Sequence, residues 1–132
     1  RSSAAELIAQ LAERMRANHL GFMANRYASS LLPGATIGTA AACLSATPCT
    51  PQTLAAWDLV NWQRGLRARL PDAGAVVTAS GATGAAMGAG ATSMRITVIW
   101  REANANTGTD GACTAAGVTD VQYRCLAAEV FP

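Results

Sequence analysis

SAAELIAQLAERMRANHLGFMANRY, residues 3–27, is the stretch on which the fold turns. Leu7, Leu11, Met15 and Phe22 recur at spacings of four or seven, with Ile8, Ala12, His19 and Met23 beside them. That is helical periodicity. Glu6 and Glu13 precede Arg14, Arg16 and Arg26, an order that suits the helix dipole. Gly21 weakens the pattern without stopping it. One long helix over 3–27 is therefore predicted, and its plainest role is an amphipathic core helix. Yet the apolar letters cover two adjoining stripes, more than the ~100° face that a single sheet needs. The first two turns also open the chain, where little else would reach to cover them. On this reading Leu7, Ile8 and Leu11 are substantially exposed and meet a neighbouring molecule, while Met15, Phe22 or Met23 pack on a sheet.

Downstream, residues 33–53 read as a loop opened by Pro33-Gly34 and holding Cys43 and Cys49. Thr50 as N-cap and Pro51 at the first helical position then start a second helix. Leu54, Trp57, Leu59, Trp62, Leu66 and Leu70 give it an apolar face, with Arg64, Arg67 and Arg69 on the other side. Pro71-Asp72-Ala73-Gly74 stops it. The period then changes. Ala75–Ala79 is a strand, Gly81–Gly90 a Gly/Ala turn, and Met94–Trp100, rich in β-branched residues, the best strand in the chain. Residues 101–118 read as loop. A last strand falls within Thr119–Phe131, where Val121, Tyr123 and Cys125 alternate with Gln122 and Arg124. The order predicts an α+β fold, a long helix on an antiparallel sheet of three to four strands, with a second short helix. The whole chain, 1–132, reads as one domain: 1–28 the first helix, 29–74 loop and second helix, 75–132 the sheet and its loops.

The chain has 132 residues and 51% hydrophobic letters, but Ala is by far the commonest of these, and only seven Phe, Tyr and Trp are present. Alanine buries little area, so the core is thin and disulfides are an expected supplement. A formal charge of +2 gives no bulk argument for nucleic acid or membrane. All ten basic residues are Arg, which removes phosphate-binding and Schiff-base lysines. His19 is the only histidine, so two-His zinc sites are excluded as well. The eight scattered carboxylates form no calcium loop. No catalytic, metal or cofactor site is expected, and the chain reads as non-enzymatic.

Four cysteines, none in a C-x-x-C, suggest disulfides in an oxidising compartment rather than zinc or redox motifs. Three pairings are open. Loop closure favours Cys43–Cys49 and Cys113–Cys125, each worth roughly 2–3 kcal/mol in the chain-entropy picture. No run of ~18–20 apolar residues is present.

Other candidates weaken when weighed. The glycines of Gly81–Gly90 precede a strand, not the helix that a phosphate cradle needs. His19 lies mid-helix with no Ser or Cys placed near it, so packing outweighs a general-base role. Trp57 and Trp62 stand about 140° apart on one helix and cannot form a stacking platform. Core anchoring of at least one is the better reading. Arg64, Arg67 and Arg69 are a possible anion or DNA contact, though a solvated helix face is the commoner meaning of such a cluster.

The segment Ala12-Glu13-Arg14-Met15-Arg16-Ala17-Asn18 on a long first helix resembles the type IV pilus minor pilins of the PilV kind. The Trp-containing helix from Leu54 to Pro71, the Ile96-Thr97-Val98-Ile99-Trp100 strand and the late cysteine pair are similar too. The resemblance spans roughly residues 3–130. It implies a pilin fold and a structural subunit that joins other minor pilins and the major pilin to prime assembly at a pilus tip. It also implies an inner-membrane segment upstream of Arg1, with this domain in the periplasm and later on the cell surface. Under the resemblance, Cys113 and Cys125 match the disulfide-bounded region near a pilin C-terminus, and Leu7, Ile8 and Leu11 become a subunit interface. A DNA-binding or adhesive pilin, or a type II secretion pseudopilin, is the alternative.

Overall fold

A computed structural model describes residues 2–43, 48–81, 91–102, 111–120 and 122–131. In chain order it forms α1 (Ser2–Ala17), α2 (His19–Met23), β1 (Ser29–Leu31), α3 (Pro51–Arg69), β2 (Gly74–Gly81), β3 (Ala91–Arg101), α4 (Gly111–Ala115) and β4 (Tyr123–Val130). The strands make one antiparallel sheet in the order β1-β2-β3-β4. The α+β expectation and its strand count hold.

The first helix is shorter than predicted. It ends at Ala17 because Asn18 leaves helical geometry and spends its side chain elsewhere. The Asn18 amide donates to the Pro51 carbonyl at 2.8 Å and to the Tyr27 hydroxyl at 3.3 Å, while its oxygen caps the Gly21 N–H. Competition of this kind by a short polar side chain is what ends helices. The following turn, α2, lies so close to the start of α3 that a Cβ on Gly21 would meet the Asn18 side chain and stand 2.9 Å from the Pro51 oxygen. Gly21 is thus a packing requirement, and Asn18 is the breaker.

α3 begins as expected, with the Thr50 hydroxyl capping the Thr53 N–H at 3.2 Å and Pro51 in the first turn. It runs antiparallel to α1. Asn18 meets Pro51, Arg14 meets Asp58, Leu7 meets Trp62, and Glu6 meets Arg69. The buried face of α3 is set by Ala55, Asp58, Leu59, Trp62 and Leu66, a face rotated from the predicted one, leaving Leu54 and Trp57 half-buried. Trp62 is the aromatic anchor. Its indole N–H donates 2.7 Å to the Leu7 carbonyl.

This antiparallel return overturns the expected exposed stripe. Leu7, Ile8 and Leu11 are 1%, 6% and 0% exposed. The reading failed because it treated the start of the chain as out of reach, whereas the C-terminal half of α3 folds back over it. α1 packs on α3 as well as on β3 and β4, so Leu7, Ile8, Leu11, Ala12 and Met15 are all covered within the domain.

β3 is covered on both sides. Met94, Ile96, Val98 and Trp100 enter the main core with α1 and α3, together with Ala75 and Val77 of β2 and Val130 of β4. Ile99 points the other way, into a second small core with Cys113, Val118, Tyr123 and Cys125. The cover on that side is α4, inside a region predicted to be loop. One helical turn forms there on small residues and is closed by Gly117 at φ 85°, with the Val118 N–H donating 2.8 Å to the Cys113 carbonyl. β1, also not predicted, pairs Ser29, Ser30 and Leu31 with Val77, Val76 and Ala75. The predicted Gly81–Gly90 turn falls, beyond Gly81, outside the described residues, as does Val121.

Candidate functional site

The most polar part of the interior is a node where α1, α3 and the segment after α2 meet. Tyr27 is fully buried and donates from its hydroxyl to Asp58 at 2.5 Å. It accepts from the Asn18 amide. Asp58 is 7% exposed, and its other oxygen accepts from the Arg14 guanidinium at 3.2 Å. A buried carboxylate is costly unless paired and hydrogen-bonded, and here it is both. The node ties α1, α3 and the segment after α2 together inside the fold.

Burial, with donation to Asp58, pushes the Tyr27 phenol well above its ordinary value of 10.0. The proton is held more tightly in the folded than in the unfolded chain. The associated stability is therefore present below about pH 10 and lost as pH rises beyond it, toward the folded value. The urea midpoint should stay flat to about pH 9.5 and then fall. In Tyr27→Phe the alkaline slope should shrink by about one proton, or ~1.4 kcal/mol per pH unit. An unchanged slope in the variant would show that Tyr27 does not carry the effect.

The residues singled out from sequence are not gathered into one place. Arg69 forms an ion pair with Glu6 at 2.7 Å. Arg67 donates from Nε to the Ala73 carbonyl at 3.0 Å and from Nη2 to the Leu32 carbonyl at 3.3 Å, pinning the turn after α3. Arg64 is exposed. Two of the three arginines are thus engaged within the fold rather than offered together to an anion. His19 is exposed on α2. Leu7, Ile8 and Leu11 are core, as described above.

Both local disulfides are formed, Cys43–Cys49 with a Cα separation of 5.5 Å and Cys113–Cys125 with 5.2 Å. The second joins α4 to β4 inside the second core. Nearby, the Tyr123 hydroxyl donates to Asp72, which raises the phenol from its ordinary range, burial adding to the effect. Arg101 lies over the same ring, 5.6 Å from its centre, and its backbone N–H donates to the Pro71 carbonyl at 3.0 Å. The polar end of the sheet is thereby locked to the turn after α3.

Two features escaped the sequence reading. Asp58 sits at the buried spacing of Ala55, Leu59, Trp62 and Leu66, so its position on the apolar face was a readable sign. Leu20 lies off both stripes of α1 and is 69% exposed. It borders a cavity of about 380 Å³ whose other walls include Ala24, Arg26 and Pro51. Among the described residues, no group of three or more His, Cys, Asp or Glu side chains is placed to hold a metal ion. Among the same residues no helix is long and apolar enough to cross a membrane.

No curated protein and no solved structure matches the chain. Residues 1–60 match a family model described as Tt1218-like, type IV pilin Tt1218. Over that stretch, which holds α1, α2, β1 and the first half of α3, the chain is similar to a type IV pilin, and the similarity supports a pilin structural subunit.

Proposed function

We propose that this domain is the globular part of a minor pilin of the PilV kind, which joins other minor pilins and the major pilin to prime type IV pilus assembly at the tip. The observation that carries the reading is the similarity of residues 1–60 to a type IV pilin, in a chain that lays a first helix along an antiparallel sheet. The expected course is residence in the bacterial inner membrane through a segment upstream of Arg1, with this domain in the periplasm, and then display on the pilus. The role is structural rather than catalytic. DNA is the less favoured partner, since Arg67 and Arg69 already have partners within the fold.

The test is genetic. A strain lacking the protein should show few or no surface pili by electron microscopy, with piliation restored by the full-length gene. An epitope-tagged copy should label filament ends. Normal piliation in the deletion strain would overturn the priming role, and label spread along the shaft would overturn the tip position. A gel shift of duplex DNA at low salt, lost on Arg64→Ala, would move the assignment to a DNA-binding pilin.

A further inference from the structure

The two disulfides occupy opposite chemical settings. Cys113 and Cys125 are 0% and 2% exposed and are walled in by Ile99, Val118 and Tyr123. Cys43 and Cys49 are both partly exposed, in the segment that leads into α3. Cys49 stands immediately before the N-cap Thr50 of a 19-residue helix. The Cys43 sulfur lies 3.8 Å from the Thr53 carbonyl oxygen, a neighbour that disfavours negative charge but can accept from a thiol.

We propose that Cys43–Cys49 is an exchangeable disulfide, opened by dithiols in the folded protein, while Cys113–Cys125 is a permanent structural link. The asymmetry of the site sets the direction of the exchange. A dithiol thiolate attacks the Cys43 sulfur and forms a mixed disulfide there. The Cys43–Cys49 bond breaks with its electron pair on Cys49, the sulfur not held against the Thr53 carbonyl oxygen. Solvent then protonates Cys49. The second thiol of the reagent, as thiolate, attacks the reagent sulfur of the mixed disulfide and releases Cys43, which takes up a proton and can donate to the Thr53 oxygen. The reagent is oxidised to its disulfide by two electrons, and the cysteine pair is reduced by two. α3 keeps its start through this change, because Thr50 and not the disulfide supplies the cap.

Folded protein would be treated with millimolar dithiothreitol at neutral pH, quenched with iodoacetamide at intervals, digested and mapped by mass spectrometry. Label should appear on Cys43 and Cys49 at least about tenfold faster than on Cys113 and Cys125, which wait for the domain to open. The far-UV circular dichroism should stay essentially unchanged after the first pair is reduced. Equal rates, faster labelling of Cys113 and Cys125, or loss of helical signal with the first reduction would each overturn the proposal. With glutathione, which cannot complete the second step within one molecule, the adduct should map to Cys43. An adduct on Cys49 would overturn the stated polarity of attack.

Discussion

Leu11→Glu should leave little folded domain at 25 °C. Leu11 is 0% exposed, in one core with Met15, Trp62 and Ile96. The substitution removes a well-packed side chain, which alone costs about 2–5 kcal/mol. It also places a carboxylate among the buried apolar side chains of the main core, where the group must be desolvated or take up a proton. The combined loss, more than about 4 kcal/mol, rivals the whole stability of a domain of this size. Leu20→Glu is the matched control. Leu20 is exposed, and its substitution should move the urea midpoint by less than about 0.5 kcal/mol equivalent. A folded Leu11→Glu domain with near-normal stability would return α1 to the exposed, partner-facing role that its two stripes first suggested.

Trp62→Ala should cost about 3–5 kcal/mol, the range for removing a buried aromatic. Trp62 is the contact that seats α3 on the first turns of α1, and it joins two helices 55 residues apart through the Leu7 carbonyl. Trp62→Phe keeps most of the volume but loses the N–H donor. The Leu7 oxygen still has its helical partner, so the loss should be nearer 1 kcal/mol. Trp57→Ala, on a half-buried position of the same helix, should fall well below Trp62→Ala. If the two tryptophans prove equal by urea denaturation, the rotation assigned to α3 is wrong.

What could be read from the sequence divides along a physical line. Signals carried by a few neighbouring residues were reliable: the Thr50-Pro51 start, the β-branched run of β3, and the short cysteine separations that pointed to both local disulfides. Signals that depend on what a face meets were not. Two apolar stripes on α1 announce a wide buried surface, but they do not say whether a sheet, a second helix or another molecule fills it. Here the answer lay in α3, whose Trp62 and Arg69 reach Leu7 and Glu6 from more than 50 residues away. The break at Asn18 was hidden for the same reason, since its decisive partners are Pro51 and Tyr27. β1 carries only Ser29, Ser30 and Leu31, too few for alternation to show. α4 is a single turn whose stability comes from the second core and from Cys125, not from its own letters. Of the candidate site residues, the cysteines kept the meaning assigned to them. Arg67, Arg69 and the three apolar residues of α1 became parts of the fold, while Arg64 stays exposed.

The double cover on β3 also bears on how the chain reaches its native state. The main core needs Val130 of β4 beside Leu7 and Leu11 of α1, and the second core needs Cys113 and Tyr123. Contacts between residues so distant in sequence raise the contact order, and chains of high contact order fold slowly. An emerging chain that has delivered α1, α3, β2 and β3 has elements for the main-core face of β3 but none for the face of Ile99, and the edge that pairs with β4 is open to wrong pairing. Closure waits for the last strand, so folding here is a late, collective event rather than one that proceeds as the chain is delivered.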